Sequence, residues 1–484
     1  MNSRNIEHAL YIENLLVSGL EADVEITSVT YDSRQVEMGS LFICKGQAFK
    51  EEYLVSALQK GAVAYLADRA YDVAVPGIIV SDIRKAMAVA TACFYGNQSH
   101  NMQVFGITGT KGKTTTAFIA RALLAASGKR FGLISSVMTD TGRVCEESHL
   151  TTPESPDLQK MFYEMSEEKL DGTVMEVSSQ GLAYDRVLGV KFSCSAFLNI
   201  GQDHISPIEH KTFEEYFDAK KRIFALSDRV CINIDDEFSD EMLKAARLQA
   251  CEIVTFGFSE DADVRAYDLK RKGDCTTFRV RSATFDRQFT LPLIGAFNVY
   301  NALAAICLCM NVLSVDEMIK GMKTVRVPGR MVVIQKKDIT VIVDYAHNKL
   351  SFESLFADMR KEYPGRRLIS VYGCPGGKAF LRRTDLGEVS GKLADHTILT
   401  AEDPNFDDVV QINEEIGTHI RTVGGTFDSI PDREQAIKTA ILQAQSGDVI
   451  IITGKGEETY QKVNGVYEPF EGDIPLSEKY LNMR

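Results

Sequence analysis

An α/β fold in three domains is predicted by three features of this sequence. Short runs of β-branched and aromatic residues alternate with helix-length segments along most of the chain, the pattern of strands joined by crossover helices. The length, 484 residues, is about three times that of a typical domain. Composition breaks fall near residues 98 and 328 and divide the chain into segments 1–98, 99–327 and 328–484.

In the first segment, ITSVTYDSRQVEMGSLFIC reads as strand, turn and strand. YLVSALQKGAVAYLAD follows as a helix and a strand, and GIIVSDIRKAMAVATACFYG as a strand leading into a helix. The polar stretch NQSHNM, residues 97–102, is the expected linker. Beyond it QVFGIT, RFGLIS, GTVMEVSS, CSAFLNIG and DRVCINID are apolar enough to be buried strands of a parallel sheet. The helix TTTAFIARALLAASG follows the first of them. From Glu252 to Thr290 short alternating runs predict an antiparallel patch, and NVYNALAAICLCMNVL a buried helix. After VRVPGRM, the strands DITVIVDYAH, RLISVYGC, HTILTAEDP and DVIIITGKG are spaced by helix-length segments.

Hydrophobic residues make up 45% and charged residues 25%, an ordinary globular balance that excludes wholesale disorder. The charge sum, 54 minus 67, is -13, a poor basis for binding nucleic acid or anionic membrane. Anionic substrates then require local cationic and backbone-amide sites. Ten scattered cysteines without a CxxC pair fit reduced thiols better than disulfides or a zinc site. No run of 18 apolar residues occurs and the N-terminus lacks a signal-peptide core, so a cytoplasmic protein without a membrane insertion is expected. Oligomeric state is not legible.

The sharpest chemical signal is the stretch Gly106-Ile-Thr-Gly-Thr-Lys-Gly-Lys-Thr-Thr between a strand and a helix. A glycine turn lets the backbone N–H groups of Gly109, Thr110, Lys111, Gly112 and Thr115 approach phosphate, and the helix N-terminus adds positive potential. Lys113 is suited to neutralising the β- and γ-phosphates and Thr114 to holding magnesium. The spacing departs from the common pattern, which needs glycine where Ile107 stands. An ATP-binding domain is the expectation.

Later residues must decide which ATP chemistry follows. Glu176 ends the strand GTVMEVSS, at the edge where ligands gather in open α/β sheets. A carboxylate there suits a hard cation, or else caps the next helix. Asp203 and His204 follow CSAFLNIG, and Lys220 lies on the amphipathic helix YFDAKKRIF. Taken singly, a surface histidine and a solvated lysine would be unremarkable.

The order of motifs is more informative. GITGTKGKTTT, TTPE, MEVSSQGL, LNIGQDH, AKKRIF, GAFNVYNALAA, VPGRM, DYAH and GKGEETYQ succeed one another as in the Mur ligases, and the chain resembles most closely the UDP-N-acetylmuramoyl-tripeptide synthetases. That resemblance implies a UDP-binding domain, a central ATPase with a P-loop and a C-terminal Rossmann-like domain. It implies ATP and Mg2+ as cofactors, and as substrates a UDP-N-acetylmuramoyl-dipeptide and a free amino acid, in peptidoglycan synthesis. By the same resemblance Lys113 and Thr114 serve the phosphates, and Thr114 and Glu176 a first magnesium. His204 and Lys220 serve a second, with Lys220 carbamylated to N6-carboxylysine. Asn298 and Asn301 match the segment beside adenine, although helix capping is an alternative for Asn298. Arg330 and Asp344 match nucleotide-contacting residues of the third domain, and His347 belongs to the same motif. Ser33, Thr151, Thr152, Ser178 and Arg186 match positions that contact the muramoyl peptide.

The amino acid added is expected to be chosen by the third domain. Relatives using meso-diaminopimelate carry Asp-Asn-Pro-Arg, whereas Glu402-Asp403-Pro404-Asn405 stands here, and Lys378 replaces a second arginine. Without the guanidinium fork the natural carboxylate clamp is missing. Glu402, Asp403, Asp407 and Asp408 make the neighbourhood acidic, and Gly454 and Glu458 match amino-acid-binding positions. L-lysine or another basic amino acid such as ornithine is therefore expected. The alternative is meso-diaminopimelate held by Lys378, Arg382 or Arg383, or a divergent Mur-like amide ligase with another acceptor. Gln180, Gln202 and Asn348-Lys349 depart from the family pattern. A folylpolyglutamate or cyanophycin synthetase is the rival enzyme, and a non-catalytic nucleotide-binding scaffold the rival class.

Overall fold

The computed structural model describes residues 1–46, 49–148, 150–201, 210–329 and 331–484. Three main sheets and their helices account for the chain. The first has the order Leu16–Ser18, Gly77–Val80, Ala62–Ala67, Ser40–Ile43, Ser28–Thr30, all parallel except the first strand. Ile6 and Leu10 of the helix Ser3–Ile12, and Ala86, Met87 and Ala90 of Ile83–Phe94, bury one of its faces. Asp82 starts the latter helix, its carboxylate accepting from the amides of Arg84 and Lys85.

The central sheet has eleven strands in the order Asp286–Leu291, Cys275–Arg281, Val264–Lys272, Glu252–Gly257, Arg229–Asn233, Cys194–Phe197, Gln103–Thr108, Gly172–Glu176, Phe131–Ile134, Met138–Asp140, Cys145–Glu147. Its middle is parallel and its last two strands antiparallel. Gln103–Thr108 sits between Cys194–Phe197 and Gly172–Glu176, so the chain leaves it where strand order reverses, the crevice in which open α/β sheets bind ligands. The expected antiparallel patch from Glu252 is corrected at its start. Glu252–Gly257 runs parallel to both Arg229–Asn233 and Val264–Lys272, because the helix Ser239–Arg247 supplies a crossover before it. Alternation in a half-buried parallel strand looks the same as in an antiparallel one.

The chain forms two compact units, the first comprising Met1–Leu269, Thr277–Thr290 and Val299–Val325 and the second Arg326–Arg484 with Lys270–Thr276 and Leu291–Asn298. The sheet of the second unit has the order Val332–Lys336, Ile339–Asp344, Val449–Thr453, Leu368–Tyr372, His396–Leu399, Phe427–Ser429, parallel except for its first strand. The hairpin Tyr460–Val463 and Val466–Pro469 was not foreseen; its strands carry too many charged and polar residues to show an apolar face. Among the described residues no helix is long and apolar enough to cross a membrane.

Candidate functional site

The phosphate loop turns directly from the strand Gln103–Thr108 into the helix Lys113–Ala126. Gly112, at φ +85°, is the residue before that helix, and a Cβ there would lie 2.2 Å from Asn301 Oδ1, so only glycine fits. Asn199, from the loop after Cys194–Phe197, braces the turn: its Oδ1 accepts from Lys111 N at 2.9 Å and its carbonyl from Thr110 N at 3.0 Å. Asn301 Oδ1 also accepts from Thr116 Oγ1 at 3.4 Å, which ties the loop's helix to Ala296–Cys309.

Two lysines converge on this loop. Lys113 Nζ donates to Gly109 O at 2.9 Å and to Thr110 O at 3.3 Å, and Lys220 Nζ reaches the same Gly109 O at 2.9 Å. Lys220 lies on the helix Phe213–Lys221, 1% exposed, with its ammonium 4.8 Å from the centre of the Tyr216 ring. The solvated-surface alternative for Lys220 is thereby removed. Tyr216 OH lies 2.8 Å from Thr110 Oγ1, which also accepts from Gly201 N. Burying an ammonium requires such partners.

Glu176 ends its strand fully buried, and Oε1 accepts from Ser136 N at 2.9 Å. Ser136 Oγ lies 3.1 Å from Thr114 Oγ1, so Thr114, Ser136 and Glu176 bring hard oxygen donors together beside Lys113. Glu176 caps no helix; Ser178 does, accepting from Gly181 N. Thr114 and Glu176 form a donor set that fits magnesium, which takes one or two protein oxygens and completes its shell from phosphate and water. Among the described residues no three His, Cys, Asp or Glu side chains gather into a metal cage. Asp203, His204 and Arg330 lie outside the described residues.

Thr152, expected to touch substrate, has no exposed surface. Its hydroxyl donates to Glu176 O and accepts from Ser178 N, so it shapes the loop. Ser178 and Thr151 stand beside it, Arg186 Nη1 donates to Thr152 O at 3.0 Å, and Ser33 follows the strand Ser28–Thr30 of the first sheet. Asn298 is corrected as a helix cap: it is the third residue of Ala296–Cys309, and its amide donates to Ile294 O. His210, which the sequence did not single out, is buried with Nε2 3.0 Å from Ser179 Oγ and its ring against Tyr216.

In the second unit, Asp344 ends its strand, Gly454 directly follows Val449–Thr453 and Glu402 lies just beyond His396–Leu399, all at carboxyl ends of parallel strands. Asp344 accepts from Met331 N and Ala346 N. Glu402 is 8% exposed beside Gly454, and burial is the main influence raising its carboxyl, to about 7. Asp403 accepts from Lys455 Nζ at 2.8 Å and Lys462 N at 3.0 Å, while Glu458 pairs with Lys455 and accepts from Tyr345 OH. Sequence reasoning missed Lys455, a cation with a fully buried side chain among these acids, although GKG displays it. Asn405, at φ 54°, holds the hairpin turn through Gly465 N. Three expectations change. Asp407 accepts from Gly377 N and Arg383, Asp408 caps the helix Val409–Thr422, and Arg383 is consumed by Glu415 and Asp407. Asp407 and Arg383 are thus paired with each other, whereas Asp408 and Lys378 are exposed.

A phosphate loop at the reversal point of a parallel sheet, with a buried lysine and a carboxylate beside it, defines an α/β nucleotide-binding protein of the P-loop class. Residues 107–309 match the Mur ligase middle domain and residues 329–456 the Mur ligase, glutamate ligase domain. The UDP-N-acetylmuramoyl-L-alanyl-D-glutamate--L-lysine ligase of Enterococcus faecalis is 38% identical over 481 residues, 97% of this chain and 94% of that protein. The 2,6-diaminopimelate ligase 1 of Clostridium acetobutylicum is 37% identical over 451 residues, 91% of this chain and 92% of that protein. The solved structure of a UDP-N-acetylmuramoyl-L-alanyl-D-glutamate--2,6-diaminopimelate ligase superposes with TM-score 0.68 at 27% identity, covering 95% of each chain. The chain belongs to the Mur ligase family and is an ATP-dependent ligase.

Proposed function

We propose that this ligase joins a basic amino acid, L-lysine or ornithine, to the terminal carboxylate of UDP-N-acetylmuramoyl-L-alanyl-D-glutamate, in the cytoplasm, during peptidoglycan precursor assembly. A carboxylate oxygen attacks the γ-phosphorus of ATP, the bond to the β,γ-bridging oxygen breaks, and ADP departs with that electron pair. The amino acid's nitrogen then attacks the acyl-phosphate carbon. Phosphate leaves with the C–O bond electrons, and the nitrogen loses a proton as the amide forms. Positioning and charge neutralisation carry most of phosphoryl transfer. Lys113 and the loop amides neutralise phosphate, and Tyr216 and Asn199 keep the loop in shape. Magnesium held by Thr114 and Glu176, with His204 and carbamylated Lys220 serving a second ion, would add Lewis-acid neutralisation of the phosphates.

The observation that carries this reading is the convergence of Lys113 and Lys220 on Gly109 O, beside the Thr114–Ser136–Glu176 oxygens. Segments 1–98, 99–327 and 328–484 would bind the UDP moiety, ATP and the amino acid, with Asn298, Asn301, Arg330 and Asp344 serving the nucleotide. For the amino acid, Asn405 in place of arginine and the engagement of Arg383 by Glu415 and Asp407 argue against a carboxylate clamp. The nearly buried Glu402 favours a cationic side chain.

Phosphate release with UDP-muramoyl-dipeptide and L-lysine, ornithine or meso-diaminopimelate in turn tests the proposal. Release with a basic amino acid is expected. Preference for meso-diaminopimelate would overturn the amino-acid assignment, and silence with every amino acid the ligase reaction itself.

A further inference from the structure

A lysine is sealed inside the acidic end of the second unit. Lys455 stands in the turn after the strand Val449–Thr453, and its side chain has no exposed surface. Gly454, at φ +106°, breaks the strand's alternation just before it, and a Cβ there would stand 3.2 Å from Glu402 Oε2. An ammonium has three donors, and three groups face this one. Nζ lies 2.8 Å from Asp403 Oδ1, pairs with Glu458 Oε2 in its own turn, and stands 4.6 Å from the centre of the Tyr460 ring.

The two carboxylates come from different loops. Asp403 lies beyond the strand His396–Leu399 and Glu458 beyond Val449–Thr453, and the strand Leu368–Tyr372 separates those two in the sheet. Lys455 therefore bridges a gap one strand wide. Asp403 takes a second bond, from Lys462 N at 3.0 Å, again on Oδ1, so neither bond uses Oδ2. Glu458 Oε1 accepts from Tyr345 OH at 2.7 Å, beside Asp344, which ends a further strand. Two carboxylates touching the same nitrogen repel each other once that cation is removed, and either one takes up a proton or the loops part. The ammonium in turn is tolerated at full burial only because it is paired. Among the described residues no ion pair joins Glu402 to a cation, so Glu402 stands outside this arrangement while sharing its rim with Asp403, Gly454 and Glu458.

We infer that Lys455 is a positioning residue for the amino acid: its ammonium ties Asp403 to Glu458, sets the spacing of their two loops, and leaves Glu402 as the carboxylate that meets the incoming side chain. The inference deepens the function proposed above and rests on that reading. Because its side chain is sealed, Lys455 acts through these acids and not by touching the reacting atoms. Its shape matters as much as its charge, since the larger planar guanidinium of an arginine cannot take the same threefold arrangement.

Lys455→Met, which keeps the length and removes the charge, and Lys455→Ala, which also opens a space, test this in the full chain. Calorimetric binding of L-lysine and steady-state phosphate release are the readouts. Kd and KM for L-lysine should rise about tenfold or more in both variants, the size of a lost charge-assisted bond. KM for ATP and for the muramoyl dipeptide, and kcat at saturating L-lysine, should stay near wild-type values. Propylammonium supplies the methylenes and the charge missing from Lys455→Ala, so it should restore L-lysine binding there in a saturable way, while 1-propanol should not. Should Lys455→Ala fail to fold, the KM comparison on Lys455→Met decides. Wild-type or tighter binding of L-lysine by Lys455→Met would overturn the inference, since the substrate's own ammonium would then serve between the acids. A uniform rise in KM for all three substrates would overturn it as well, marking a general folding effect. If the wild type binds L-lysine yet releases no phosphate, the ligase reaction falls and the binding comparison at Lys455 still reads.

Discussion

Replacing Glu402 by glutamine tests how the second unit chooses its amino acid. Glu402 is 8% exposed, and burial is the largest influence on its carboxyl. Arg382 and Arg433 oppose it and Asp403 adds to it, leaving the group at about 7 against an ordinary 4.5. One unit on either side of that value, the ionised fraction moves from about nine tenths at pH 8 to about one tenth at pH 6. If the carboxylate holds a cationic side chain, KM for L-lysine rises about tenfold from pH 8 to pH 6 in the wild type. In Glu402→Gln it should be raised about ten- to hundredfold at pH 8, the worth of a charge-assisted bond, and be nearly flat with pH. Stability should move the other way. The folded protein holds this proton more tightly than the unfolded chain, so the group's contribution is fully present below about 4.5 and is lost as pH rises through about 7. The difference between those values, about 2.5 units, sets an upper limit of about 3 kcal/mol. Glu402→Gln should therefore melt higher than wild type at pH 8 and about equal to it at pH 5. Steady-state phosphate release across pH 6 to 9 and thermal unfolding at the two pH values give both readouts. Parallel KM profiles for variant and wild type, or no gain in melting temperature at pH 8, would refute the reasoning.

Lys113→Ala should leave the fold intact and lower phosphate release by roughly a thousandfold, since the cation facing the transferring phosphate is lost; retained turnover would sink its role. Gly112→Ala places a Cβ 2.2 Å from Asn301 Oδ1 at φ +85°, so we expect a loss of about 2 kcal/mol or more in thermal unfolding and weaker ATP binding. Asp473→Asn breaks the fully buried pair with Arg433, whose guanidinium also holds Ala401 O and Thr453 O beside the acidic cluster. A loss of about 3–5 kcal/mol follows, with KM for the amino acid raised. Intact mass measured in bicarbonate should show Lys220 gaining one carbon dioxide, and Lys220→Arg should abolish both the gain and turnover.

Local features of the chain were readable because they depend on near neighbours. Turn glycines and an apolar strand ending in Thr108 specify the phosphate loop, and the parallel strands announce themselves by unbroken apolar runs such as Val449–Thr453. Glu176 was placed correctly at a strand end for the same reason. The direction of Glu252–Gly257 was not, since period-two alternation carries no information about which neighbour a strand pairs with.

Charges behaved differently. Asp407, Asp408 and Arg383 looked available in the sequence and are committed to one another, to Gly377, to Glu415 and to a helix end. Nothing in the sequence singled out Lys455 or Arg84, yet one is sealed among acids and the other lies against Tyr184. The composition and order of residues determined the layered α/β architecture, the nucleotide loop and membership of the ligase family. Only the tertiary structure decided which ionic groups meet. Lys220 and Gly109 are 111 residues apart, and Arg186 and Lys45 come from different sheets. Backbone conformation is set within a turn or two of chain, whereas a charge is neutralised by whatever the fold brings within about 4 Å of it.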